Sequence, residues 1–439
     1  MGEGSPFSVG NVRLFVWFRV LFNARLYYPI FTVLFLDFGL SLEQFAVLNA
    51  VWAASIVLLE VPSGALADTV GRVVLLRVTG LLMVVELALV CFVPIGDVDL
   101  VFWVFLFNRV LSGAAEAAAS GADEAMAYDS LAKVGLEGAW PRVLEVLMRT
   151  HAAVFVGASL LGAAIYDAAF LNRVVAFFGG SYVFEAEQTM RFPLYGVLVM
   201  SLGVIAVTWR MEEVRGEGRV RGKGTLAAML AAGRTTLEAG GWILRTPLAL
   251  VVILAGLTMD NVVRMALTLN GQYYRVIGFP EVSFGLIGSA LALLGIFLPA
   301  VARRLVERST PGKNFGLLVV LVFAGLYGMG FAWPMWGLAP VVLLGVAMRF
   351  GGFFMSHYLN EVTESAQRAT VLSFRGLSFN LAYGVAGVLY GWLTVELKKR
   401  GGGSEDEVFV EALGWFPWYF LAMVVGTIAV WRWRVKRAG

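Results

Sequence analysis

Long apolar runs alternate with short polar turns from one end of this chain to the other. A helix crossing a bilayer needs roughly 20 mostly apolar residues, and this spacing recurs about twelve times. In the first half the runs lie near Leu14–Leu36, Gln44–Ser63, Val73–Pro94, Val101–Gly121, Val143–Phe170 and Phe192–Trp209. In the second half they lie near Leu248–Asn270, Val282–Val306, Asn314–Met335, Leu338–His357, Thr370–Glu396 and Trp415–Val435. The pattern predicts an all-α integral membrane protein, because a helix satisfies its own backbone in lipid.

Residues 211–247 interrupt the rhythm and mark the expected boundary between two six-helix bundles, 1–210 and 248–439. Gly216–Gly224 is basic and glycine-rich, and reads as a flexible linker. Thr225–Gly240 predicts an amphipathic helix on the inner membrane surface. Weak internal repetition supports two related halves: Phe45–Pro62 parallels Phe284–Pro299, and Arg149 and Arg375 each precede glycines and then a tyrosine, Tyr166 or Tyr390. Two outer segments, Leu171–Arg191 and Lys398–Leu413, are longer than a turn requires. The second holds Gly401-Gly402-Gly403-Ser404 and is expected to be mobile.

Composition agrees. The chain is 59% hydrophobic and 15% charged, against about 25% charged in soluble domains. The lone cysteine, Cys91, can form no intrachain disulfide. Its surroundings predict a buried thiol. No His, Cys or carboxylate pair has metal-ligand spacing. No cofactor, metal or nucleic-acid partner is expected. Met1–Val12 is short and polar without a cleavage pattern, so the first span is expected to direct insertion.

The basic residues set an orientation. Arg210, Arg215, Arg219, Arg221, Lys223, Arg234 and Arg245 follow the sixth span, Arg303, Arg304, Arg308 and Lys313 the eighth, and Arg432, Arg434, Lys436 and Arg437 the last. Placing these inside puts both termini in the cytoplasm and leaves Asp37, Glu43, Asp97, Asp99, Glu185 and Glu187 outside. Only Lys398–Arg400 runs strongly against the rule.

Chemistry concentrates in three places. The turn Gly64-Ala65-Leu66-Ala67-Asp68-Thr69-Val70-Gly71-Arg72 joins the second and third spans. Arg109, Gly113, Glu116, Ser120 and Asp123 recur at helical steps in the fourth, a stripe of about 21 Å. The first, fourth, seventh and tenth spans each carry arginine: Arg19 and Arg25, Arg109, Arg264 and Arg349, with Asn23, Asp260 and Asn261 beside them. Each charge costs about 2.5–3.5 kcal/mol in the bilayer even on the lenient insertion scale, so these groups must pair or face water. Bases outnumber acids there, which favours an anionic ligand. Asp260 and Arg264 are one turn apart, and mutual neutralisation is the competing reading.

The turn resembles the signature loop of the major facilitator superfamily through Gly64, Asp68, Gly71 and Arg72, departing at Thr69, Val73 and Val74. The resemblance implies a latch. Asp68 would meet the start of the eleventh span near Arg368–Ser373. Arg72 would pair with Asp123, Asp129 being the second choice. Arg109-Val110-Leu111-Ser112-Gly113 resembles the fourth-helix signature of proton-coupled drug exporters, with Ser112 in place of the usual glutamine. It implies proton coupling by Arg109 with a nearby carboxylate, for which Glu116 is the first candidate; Asp260, at membrane depth in the seventh span, is the second acid expected to titrate. Glu60 and Glu86 are read first as helix–helix hydrogen-bonding groups. The segments Asp123–Asp129 and Arg368–Ser373 are similar to bacterial facilitators.

The implied protein is a monomeric secondary transporter of a prokaryotic inner (plasma) membrane. It would move a small amphipathic or anionic organic molecule by alternating access, through a central site of Arg19, Asn23, Arg25, Arg109, Asp260, Asn261, Arg264 and Arg349. Proton-coupled export is the preferred direction. Uptake of an anionic nutrient, a non-transporting receptor and a lipid-modifying enzyme are the alternatives. No nucleophile or acid–base pair with specific spacing favours the enzyme.

Overall fold

A computed structural model describes residues 5–214, 225–362, 368–401 and 403–438. Among them there are only helices and turns. The first span is α1 (Gly10–Asn23) continued by α2 (Phe31–Asp37). Then come α3 (Leu42–Thr69), α4 (Arg72–Phe92), α5 (Val98–Ala119), the short α6 (Ala122–Ala132) and α7 (Trp140–Tyr166). After α8 (Ala168–Phe177) and α9 (Ala186–Thr189), α10 (Phe192–Trp209) ends the first half. The linker helix α11 (Thr225–Arg245) precedes α12 (Pro247–Thr268), α13 (Asn270–Val276), α14 (Val282–Arg308), α15 (Pro311–Met329), α16 (Leu338–Val362), α17 (Arg368–Gly401) and α18 (Glu405–Ala438).

Eleven helices among the described residues are long and apolar enough to cross a membrane. About twelve were expected. The difference is α17. It is long enough at 34 residues, about 51 Å, but it carries Arg375, Asn380 and three basic residues at its end. It still occupies the eleventh span's place, packed along α3.

Local chemistry explains where the helices start. Ser41 and Gln44 form a reciprocal capping box on α3. Asp97 caps α5 and Thr310 caps α15. The first span breaks at Ala24–Tyr27, shortly before Pro29, whose nitrogen has no proton to donate. Gly162 of α7 sits against this break. A Cβ there would lie 1.8 Å from the Leu26 carbonyl oxygen, so only glycine allows the approach.

The halves meet along two seams, α3 against α17 and α7 against α14. These are the second span on the eleventh and the fifth on the eighth. Outward faces are apolar: α14 turns Leu293, Ile296 and Phe297 out, each more than half exposed. Lipid solvates such faces as well as a protein core would. The linker prediction extends to Arg245, and α11 packs on α3, α12 and α17. The segment expected to be mobile is helical from Glu405 onward and buries Val408, Phe409, Ala412 and Leu413. Glu405 anchors it through Lys398. Arg215, Arg219, Arg221 and Lys223 lie outside the described residues.

Candidate functional site: an inner cavity with opposed charges

Three cavities lie between or within the bundles. One of about 370 Å³ lies towards the end that the basic residues place inside. Its walls carry Arg19, Phe22, Trp52, Glu60, Glu116, Ser120, Asp123 and Glu124 from the first half and Asn380 from α17. A second, of about 200 Å³, lies within the second half beside Asp260, Arg264, Arg375 and Phe379. A third, of about 230 Å³, lies between the halves beside Tyr28, Phe31, Thr268, Tyr274 and Arg349.

The expected arginines have different fates. Arg19 faces the first cavity but is held by Asp123 at 2.5 Å and Glu124 at 2.9 Å. Arg25 was expected to line the pathway. Instead it is sealed inside the first half, 3.0 Å from Glu86, with both side chains almost fully buried. The break after α1 turns Arg25 towards α4 and away from the cavity. Arg109 is also buried. Its guanidinium lies 5.4 Å from the Phe31 ring centre and 5.6 Å from that of Phe35, a cation–π arrangement. It donates to Asn108 Oδ1 at 3.3 Å, and Asn108 donates to the Glu86 carbonyl. No ion pair within 4 Å joins Arg109 to Glu116 among the described residues.

Asn23 donates back to the Arg19 carbonyl at 2.8 Å. Asn261 donates to the Leu257 carbonyl and towards Met423 of α18, so its amide points away from the three cavities. Asp260 and Arg264 do neutralise each other, at 2.6 Å. Arg264 also donates to Asn380 at 3.0 Å, which links the second cavity to the first. Arg349 donates only to its own helix, at the Gly345 carbonyl. Arg375 lies over Phe379. Neither Arg349 nor Arg375 has a carboxylate partner among the described residues. Glu60 and Glu116 likewise have no basic partner within 4 Å there, and Glu60 Oε2 is buried without a hydrogen bond.

The opposite end is closed by polar contacts between the halves. Arg275 makes a bidentate pair with Asp37, at 2.7 and 2.6 Å, and holds Glu281 at 2.7 Å. Tyr166 donates to the same Asp37 carboxylate. Lys398 bridges Glu43 and Glu405 at 3.1 Å. Asp167 accepts from Phe170 N within its half and from Val282 N across the seam. Every cross-half ion pair among the described residues is at this outer end. The inner cavity is thus shut from the outside.

A whole-chain helical fold with this division can now be compared with known proteins. The profile of the Major Facilitator Superfamily matches residues 14–387. The chain belongs to the Major Facilitator Superfamily. This facilitator is an integral membrane transporter, not an enzyme. No curated protein matches its sequence. Among solved structures, the nucleoside transporter NupG is similar at TM-score 0.71 and 12% identity, covering 96% of this chain and 98% of that one. A bacterial homolog of the human lysosomal transporter Spinster is similar at 0.69 and 15%, covering 98% and 96%. A D-xylose–proton symporter is similar at 0.59 and 13%, covering 97% of each chain. At such identities the likeness extends to the fold.

In the facilitator's signature turn, Gly64 lies in the last turns of α3, and Gly71 precedes α4 with φ +129°. Glu213, beyond the sixth span, accepts from Arg72 N at 3.1 Å and Val73 N at 2.9 Å. It thereby caps the positive end of α4. A Cβ at Gly71 would lie 2.7 Å from Glu213 Oε2. Arg72 pairs with Asp129 and not with Asp123, which belongs to Arg19. The reason is the left-handed Gly121, φ +73°, which separates α6 from α5 and re-aims both acids. The Asp68 side chain, and those at 368–370, 372 and 373, lie outside the described residues, and so does their expected contact.

Sequence reasoning missed the outer seam. Asp37 and Glu43 were read only as outer acids, and Arg275, Asp167 and Glu281 were not singled out. The signal was there: a basic cluster on the wrong side at Lys398 needs acids to hold it.

Proposed function

We propose that this facilitator is a monomeric secondary transporter of a prokaryotic plasma membrane that exports a small amphipathic organic molecule in exchange for protons. The observation carrying the coupling is the placement of Glu116 in the inner cavity without an ion pair within 4 Å among the described residues. A carboxylate so placed can exchange a proton with the inner compartment while the outer end is shut. Asp260, tied to Arg264 and through Asn380 to the same cavity, is the second coupling group. Arg109 acts at one remove, by fixing Asn108 and the first span. The anionic preference loses support, because Arg25 and Arg264 already hold carboxylates. The amphipathic preference keeps it, because Phe22 and Trp52 line the cavity with the acids. Direction rests on the resemblance around Arg109–Gly113.

Proteoliposomes under an imposed pH gradient test this reading, using substrates found by ligand-dependent thermal stabilisation. Glu116→Gln is expected to abolish gradient-driven flux while stabilisation by ligand survives. Flux equal to wild type would overturn the assignment. The sign of flux against the gradient separates export from uptake.

A further inference from the structure

The cavities at the inner end are charged in opposite senses. On the first-half wall, Arg19 is matched to Asp123 and Glu124, and Glu60 and Glu116 have no basic partner within 4 Å among the described residues. On the second-half wall, Asp260 is paired with Arg264, and Arg375, near the same carboxylate, has no ion pair within 4 Å among the described residues. A hydrogen bond from Arg264 to Asn380 joins their walls. Arg264 lines one cavity and Asn380 the other. Arg375 and Asn380 are five residues apart on α17, which is about 7.5 Å of helix rise. Apolar surface lies on both sides, from Phe22 and Trp52 to Phe379 and Met355.

We propose that the substrate of this site is a zwitterion whose two charges are separated by an apolar spacer. Its cationic end sits at Glu60, and its anionic end at Arg375. This specifies the ligand of the transport reading above and rests on it. A simple cation would leave Arg375 unanswered, and a simple anion would leave Glu60 unanswered. An unmatched charge in a closing cavity carries its full desolvation penalty, whereas matching both ends removes it. The guanidinium of Arg375 offers two parallel donors to a carboxylate or phosphate. Closure of the inner end would therefore favour a ligand that neutralises both walls at once.

The test uses three probes of one length: octylamine, octanoate and the aminooctanoate that carries both groups at opposite ends. Binding is read from concentration-dependent thermal stabilisation of the full-length protein at fixed pH, without a gradient. For the wild type, half-saturation by aminooctanoate is expected about tenfold below that of either singly charged probe, the effect of one recovered charged contact. Glu60→Gln should erase the advantage over octanoate, and Arg375→Gln the advantage over octylamine. The wild-type comparison stands even if a variant fails to fold. Equal binding of the three probes, or an advantage untouched by both substitutions, would overturn the proposal. Discrimination among probes without any flux would defeat the transport reading and leave the zwitterion site standing. Proton-driven flux without discrimination would do the reverse.

Discussion

The two halves of this facilitator use arginine differently. In the first half every cavity-helix arginine is already answered: Arg19 by Asp123 and Glu124, Arg25 by Glu86, Arg109 by two phenylalanine rings and Asn108. In the second half Arg264 is answered by Asp260, whereas Arg349 donates to its own helix, Arg375 lies over Phe379, and neither has a carboxylate within 4 Å among the described residues. Among the described cavity residues, the acids without an ion pair lie in the first half, and Arg349 and Arg375 in the second. A membrane-embedded arginine is therefore not by itself a ligand-binding group. It becomes one when its own fold leaves it unmatched, and here the second half does so.

That contrast can be broken most severely at Glu86. Glu86→Ala leaves Arg25 buried without its counter-charge, and a loss of about 3–5 kcal/mol is expected, seen as a large fall in thermal stability of the purified protein. The double change Arg25→Met with Glu86→Leu should recover most of it, because an apolar pair of similar size can replace a buried ion pair. No fall in the single variant would make Arg25 a cavity group after all. The next effect is at the seam. Arg275→Ala removes the bidentate hold on Asp37 and should shift the closed outer end by about 1–3 kcal/mol, roughly 5–150-fold in population. That range allows for the partial exposure of the pair, which lowers its worth. Accessibility of a cysteine placed at Thr268 to an outside thiol reagent measures it. The smallest effect is at Asp129. Its pair with Arg72 lies within one half and is about a quarter exposed, so Asp129→Asn should cost at most about 1 kcal/mol and leave outer accessibility unchanged.

The spans were legible because hydropathy over about 20 residues is a local property. Leu338 and Val282 start their helices where the pattern placed them. The signature turn was legible for the same reason. Its partner was not: Asp123 and Asp129 differ by six positions on one short helix, and Gly121 decides which of them faces Arg72. The stripe from Arg109 to Asp123 assumed an unbroken helix, and the break after Ala119 ended that register. Arg25 could not be placed from sequence because the first span unwinds at Ala24. The outer seam was illegible because both of its cross-half ion pairs join residues more than 200 positions apart, Asp37 to Arg275 and Glu43 to Lys398.

The central claim is that one cavity, shut at its outer end by the seam, opens to either side in turn. Spin labels on cysteines replacing Val98 and Trp336 report the outer end, and those replacing Val134 and Glu307 the inner end. The native Cys91 is buried and leaves the labelling selective. Inter-label distances in lipid nanodiscs, compared with and without Arg275→Ala, test it most directly. The account predicts that the substitution lengthens the outer distance and shortens the inner one. Distances that lengthen together, or an inner distance that ignores the seam, would contradict it.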